Sequence, residues 1–204
     1  MLDHALLDLI AALRRSFEDA ALLQRQALEE RFQADVLLGD VSWETSYSLP
    51  GEDSPPRVRA DLSLDWPTWS QSSYRSWSIG EPPEDLPEVV VEVALRVQRL
   101  SHAPDPDVIM TALPAASPDV GGSVLDRSGP TLEQVYDEKL TSSQWAAEVS
   151  YEGTITLAES VLEDPTKLDN QVGALGGWVA STLVRLADLD LKFLGPDPKD
   201  SGGA

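Results

Sequence analysis

Residues 57–66 read Arg-Val-Arg-Ala-Asp-Leu-Ser-Leu-Asp-Trp, and apolar and polar side chains alternate along the whole stretch. Side chains on a β-strand project to opposite faces with a period of two, so the stretch predicts a strand with one buried and one solvated face. Val41–Leu49 and Trp145–Leu157 show the same alternation. A parallel sheet covered on both faces gives continuous apolar runs, so the pattern favours an antiparallel sheet.

The composition is that of an acidic chain of single-domain size. Its 204 residues include 35 acids and 15 bases, for a formal net charge of −20. This field repels phosphate backbones and anionic membrane surfaces, which argues against nucleic-acid and membrane partners. The lack of cysteine excludes disulfides, thiolate zinc sites and cysteine nucleophiles. No secretory signal and no apolar run of ~20 residues is found, so we expect a cytoplasmic protein.

The N-terminal segment, residues 3–33, has the spacing of one long amphipathic helix. Apolar side chains recur every three or four positions, and neither Gly nor Pro interrupts them. We expect part of this helix to overhang the sheet and to contact a partner; the alternative is a helix that lies across the sheet. The partner-binding residues predicted on it are Leu6, Leu9, Leu13 and Phe17.

The chain is predicted to form one α+β domain over residues 1–195. An antiparallel sheet of about five to seven strands, within residues 35–160, is expected to pack against the long helix at 1–34. A C-terminal helix and an apolar coda, within residues 165–194, complete the packing. Residues 196–204 are predicted to be a disordered tail.

Shorter elements are predicted from local patterns. The polar, aromatic residues 66–86 suggest an irregular strand around Tyr74–Ile79. The Pro- and Gly-rich loop 101–130 leaves room for one short strand at Asp107–Leu113. Thr131–Leu140 predicts a short helix, with Thr131 as N-cap and Gln134 completing a capping box.

Residues 66–77 form an aromatic segment with an unusual composition: four aromatic rings stand among hydroxyl side chains. Three interpretations stay open. The rings seal one end of the core, contact another protein, or stack on a sugar. The candidate binding residues in this segment are Trp69, Tyr74 and Trp77.

Signals for catalysis are weak. His102, near Asp105 and Asp107, is the only realistic base for a hydrolase, and no G-x-S-x-G motif accompanies it. The chain has no phosphate-binding glycine loop and no EF-hand spacing. We therefore expect no enzymatic activity, no cofactor and no metal site.

The sequence thus favours a non-enzymatic protein-binding or assembly protein, a scaffold or adaptor that acts through its N-terminal helix and residues 66–77. Self-association is a further expectation, because copies can share an overhanging apolar helix and a half-covered sheet. Two alternatives remain: a β-rich module that binds carbohydrate or a small ligand, and a hydrolase built on His102 and nearby carboxylates. The solvated strand faces, with mixed polar residues, are interpreted as scaffold.

Overall fold

A computed structural model describes residues 4–20, 22–25, 30–34, 39–52, 54–136 and 143–195, which form five helices and eight strands. The helices are α1 (His4–Asp19), α2 (Thr68–Ser78), α3 (Pro106–Ala112), α4 (Glu159–Glu163) and α5 (Thr166–Ala187). The strands are β1 (Gln24–Arg25), β2 (Arg31–Ala34), β3 (Val41–Ser48), β4 (Val58–Trp66), β5 (Glu88–Leu100), β6 (Asp126–Arg127), β7 (Thr131–Val135) and β8 (Gln144–Thr156). The predicted α+β class is confirmed.

All eight strands belong to one antiparallel sheet. The long strands β3, β4, β5 and β8 lie side by side in that order. The short strands β1 and β2 pair with the outer edge of β3, and β6 and β7 pair with the outer edge of β8. β3 and β4 form the hairpin that the alternating stretches predict.

The core lies on the face of the sheet that α1 and α5 cover. Along β4, every second side chain from Val58 to Trp66 is buried, as the opening stretch predicts. The register continues this layer across the sheet, because Leu62 lies opposite Val93, and Val93 lies opposite Tyr151. Helices α1 and α5 pack together over the layer, and both predicted terminal helices are present.

The N-terminal helix is shorter than predicted and ends at Asp19. Beyond it the chain turns, with the Leu23 amide donating to the Ala20 carbonyl oxygen at 2.8 Å, and short segments then pair with β3. The carboxylate of Glu30 accepts hydrogen bonds from Trp43 Nε1 at 2.9 Å and from Arg25 at 3.2 Å. These tertiary contacts outweigh the helical spacing, because helix propensity is a weak preference.

Three shorter predictions are wrong. The aromatic segment forms helix α2 instead of a strand, and Asp107–Leu113 lies largely in helix α3. Asp105 caps α3 by accepting from the Asp107 amide at 3.0 Å, and a proline follows the cap at the first helical position. The Thr131–Leu140 segment begins with strand β7, because its first residues pair with β8. Residues 137–140 and the predicted tail lie outside the described residues.

Candidate functional site

Helix α1 does not present the docking stripe that its sequence suggests. Leu6, Leu9, Leu13 and Phe17 are all buried, and they pack within the hydrophobic core. The helix ends at Asp19, and its apolar side is buried against α5 and the sheet. These four residues therefore belong to the chain's own core and leave no apolar stripe for a partner.

The aromatic segment divides between the core and the surface. The Trp66 side chain is buried, and the Tyr74 ring meets its edge at a centroid distance of 6.0 Å. Trp77 stacks on Tyr74 at 5.9 Å, so both rings are partly covered by one another. Trp69 differs from them because it is 48% exposed. Of the three candidate binding residues, Trp69 is the one whose ring faces solvent.

Helix α2, which carries Trp69, is fixed to the ends of three strands. The Asp40 carboxylate accepts from the Thr68 amide at 2.7 Å and from its hydroxyl at 2.8 Å, and so caps the helix from a neighbouring segment. Ser70 Oγ donates to the Glu88 carbonyl oxygen at 2.6 Å and accepts from the Glu88 amide at 2.7 Å. Gln71 Nε2 donates to the carbonyl oxygen of Trp66 at 3.0 Å. The helix is thereby held in a defined position beside β5.

The second face of the sheet, which we call the open face, carries no helix in the part of the chain that the structure describes. The register gathers the polar side chains of β3, β4, β5 and β8 on this face. Six of its carboxylates form no salt bridge with any described residue, and we call their surface the acidic half. These residues are Glu44, Asp65, Glu88, Glu92, Asp126 and Glu152.

One row of the acidic half consists almost entirely of carboxylates. From strand to strand, Glu44 lies opposite Ser63, Ser63 opposite Glu92, Glu92 opposite Glu152 and Glu152 opposite Asp126. Neighbouring strands are about 4.8 Å apart, and like charges directly opposite each other destabilise a sheet. The pairs Glu92–Glu152 and Glu152–Asp126 therefore oppose folding, whereas Glu44 lies opposite Arg31 of β2.

Asp65 lies near this row and responds to its field. Its pKa is raised, first by desolvation of the carboxyl group and then by the negative charges of Glu44, Glu92, Asp40 and Glu152. Three of those four charges belong to the open face. Desolvation is thus the main cause of the raised pKa, and the carboxylates of the open face add to it.

The other half of the open face is electrically balanced. Arg59 Nε lies 3.0 Å from Asp61 Oδ2. The two terminal nitrogens of Arg96 contact Glu148 at 3.1 Å and Glu133 at 2.7 Å. Each carboxylate here has its cation within the chain. The contrast locates the unmet negative charge at the α2 end of the face.

A shallow depression of about 340 Å³ lies where the two halves meet. Glu44 and Glu92 line it from the acidic half, and Arg59, Asp61 and Glu148 line it from the balanced half. Arg31 of β2, which lies opposite Glu44, also lines it. Its lining is mainly polar, which suits charged or hydrogen-bonding groups better than an apolar ligand.

His102 does not form a hydrolase site with the carboxylates that follow it. Its side chain is exposed, and its Nδ1 lies 3.0 Å from Ser101 Oγ, which also contacts the Lys192 carbonyl oxygen. Asp105 serves as the cap of α3. Within the described ranges His102 has no salt bridge to a carboxylate, so the orienting contact of a catalytic triad is lacking.

The individual carboxylates of the acidic half were visible in the sequence as the polar positions of alternating strands. What the sequence lacked was the register, which sets Glu92 opposite Glu152. These two residues are 60 positions apart, and 43 residues separate the end of β5 at Leu100 from the start of β8 at Gln144. The signal that was available is the regular return of Asp and Glu on the solvated side of each strand.

Other classes of site are not supported by the described residues. No group of three or more His, Asp or Glu side chains among them is arranged to hold a metal ion. No helix among them is long and apolar enough to cross a membrane. Comparisons of the chain with protein-family models, with curated proteins and with solved structures find no match.

Proposed function

We propose that this chain is a non-enzymatic protein-binding module whose open face receives a basic segment of a partner protein. The observation that supports the proposal is the acidic half, where carboxylates from five neighbouring strands share one surface without salt bridges to the described residues. Arg and Lys side chains of a partner supply the opposite charge. Opposite charges on the two surfaces raise the rate of association and discriminate against partners that carry negative charge.

The sign of the surface favours a polypeptide over other macromolecules. A net charge of −20 repels nucleic acids and anionic lipid surfaces. A second copy of the chain would bring the same carboxylates together on this face, so like charges oppose self-association there. A basic protein segment is attracted both by the carboxylate row and by the overall negative charge of the chain.

The two alternative functions have less support. A sugar-binding platform needs free aromatic rings, and Tyr74 and Trp77 are stacked on one another, which leaves Trp69 as the exposed ring of the three. A hydrolase needs a base oriented by a carboxylate, and His102 is an exposed residue beside Ser101. The open face remains the best-supported site.

The proposal is tested by removing charge from the row without changing its shape. The double variant Glu92→Gln, Glu152→Gln removes two opposed carboxylates and keeps side chains of the same length. Binding of a flexible twelve-residue peptide rich in Arg and Lys is measured by calorimetry at low and at physiological salt. We expect the affinity to fall about tenfold, because an exposed ion pair contributes about 0.2–1 kcal/mol and the variant removes two of them.

A matched control separates the open face from the general negative field. The double variant Asp188→Asn, Asp190→Asn removes the same total charge from exposed positions after helix α5. We expect it to weaken peptide binding less than twofold. Equal losses for the two double variants, or no peptide binding at low salt, would contradict a docking site on the open face.

A further inference from the structure

A shallow pocket at the α2 end of the acidic half combines an aromatic ring with carboxylates, and we call it the Trp69 notch. Its lining residues are Trp69, Asp85, Leu86, Glu88 and Thr156. Trp69 is 48% and Leu86 is 42% exposed. An indole and a leucine side chain are thus partly exposed beside Glu88, which lies four residues along β5 from Glu92 of the carboxylate row.

Hydrogen bonds hold the start of helix α2, which carries Trp69, against the backbone of Glu88. Ser70, the residue after Trp69, is fully buried and forms two hydrogen bonds with the backbone of Glu88, at 2.6 and 2.7 Å. The Thr156 hydroxyl in turn donates to Glu88 Oε1 at 3.4 Å. A preorganised pocket loses less entropy when a ligand enters, so these contacts favour binding.

The chemistry of the notch matches a guanidinium group. A cation over an indole face is attracted by the ring quadrupole, and tryptophan gives the strongest interaction of this kind. Glu88 and Asp85 offer carboxylate oxygens at the same place, and Leu86 offers apolar surface for an alkyl stem. Arginine stacks on an aromatic ring and pairs with a carboxylate through its planar fork, whereas a lysine ammonium is a compact, strongly hydrated charge.

We propose that the Trp69 notch is the anchor for one arginine side chain of the basic partner. The inference rests on the proposed function, since it assigns one residue of the segment that the open face binds. The arginine guanidinium stacks on Trp69 and pairs with Glu88, while neighbouring basic residues of the same segment lie along the row of carboxylates. Because of the notch, the open face prefers arginine to lysine, whereas the carboxylate row alone selects only for positive charge.

The test compares two peptides and two variants of the full chain. The peptides are flexible twelve-residue sequences that differ only in carrying arginine or lysine at every basic position. Trp69→Ala removes the ring, and Ile79→Ala is its matched control, because Ile79 is an exposed apolar residue at the end of α2 outside the notch. Thermal unfolding of each variant verifies that it is folded before binding is measured.

We expect the wild-type chain to bind the arginine peptide about three- to tenfold more tightly than the lysine peptide. Trp69→Ala should remove most of this preference, and Ile79→Ala should keep it. An unchanged preference in Trp69→Ala, with affinity still lost in Glu92→Gln, Glu152→Gln, would overturn the anchor and leave the proposed function standing. If neither variant weakens peptide binding, both proposals fail.

Discussion

Asp65 is a residue of the open face whose negative charge lowers the stability of the fold. Desolvation of its carboxyl group, together with the carboxylates around it, raises the pKa of Asp65, so the folded chain holds the Asp65 proton more tightly than the unfolded chain does. Ionised Asp65 therefore lowers the stability of the fold at neutral pH. This loss disappears as the pH falls through the raised pKa and below the unfolded value of about 3.9.

The variant Asp65→Asn should accordingly be more stable than the wild type at pH 7. We expect an increase in Tm on the order of 1 °C, since solvent screens an exposed carboxylate. The difference should shrink as thermal unfolding is repeated at lower pH and vanish near pH 3.

Asp61→Asn is the matched control, because Asp61 accepts from Ser46 Oγ at 2.5 Å and pairs with Arg59. Removal of that charge should lower the Tm at pH 7. This account of the open face would be contradicted if Asp65→Asn lowered the Tm at pH 7 and Asp61→Asn raised it. It would also be contradicted if the higher Tm of Asp65→Asn persisted at pH 3.

The contact between α1 and α5 depends on one serine and one glycine. Ser16 Oγ lies 2.9 Å from the Val172 carbonyl oxygen and 3.0 Å from the Gly176 amide, so its hydroxyl reaches into one turn of α5. A Cβ atom added to Gly176 would lie 2.1 Å from the Ser16 carbonyl oxygen. The two helices can therefore approach this closely only at a glycine.

Gly176→Ala should destabilise the fold by about 3 kcal/mol, because the added methyl group meets the backbone of α1, which cannot move without displacing the buried Phe17. Urea unfolding measures the loss. Gly177→Ala is the control, since an added Cβ there meets nothing within 4 Å, and it should stabilise the helix by about 0.5–1 kcal/mol. Similar effects of the two variants would show that the close packing of α1 on α5 is not what Gly176 serves.

Long elements were predictable from the sequence, and short ones were not. The strands β4, β5 and β8 and the helix α5 carry enough periodic positions for their apolar faces to be recognised. Helix α2 was missed because Asp40, which caps it, lies 28 residues earlier in the sequence than Thr68. Helix α3 had a local signal, the Asp105-Pro106 pair, which is typical of a helix start.

The candidate site was only partly predictable for a related reason. Trp69 stood out by composition and is exposed, whereas Leu6, Leu9, Leu13 and Phe17 were assigned to a partner and are buried in the core. Whether an apolar helix face contacts another protein or its own domain depends on what else folds against it. Helix α5, far along the chain, provides that surface here.

At the scale of the whole molecule, the two faces of the sheet have different roles. One face holds the core and both terminal helices, and the other combines a balanced half with an acidic half. The net charge of −20 adds a long-range field of the same sign. Under the proposed function, this field would attract a basic partner from a distance, and the open face would bind it. Screening by salt should weaken both effects.

The most direct test of the central claim is to map the peptide contact by amide chemical shifts in an isotope-labelled full chain. Titration with the arginine peptide should shift amides in β4, β5 and β8 around the acidic row and at the start of α2. Amides on the solvent side of α1 and α5 should stay unchanged. A map centred on the helices, or one spread evenly over the surface, would contradict the assignment of the open face as the binding site.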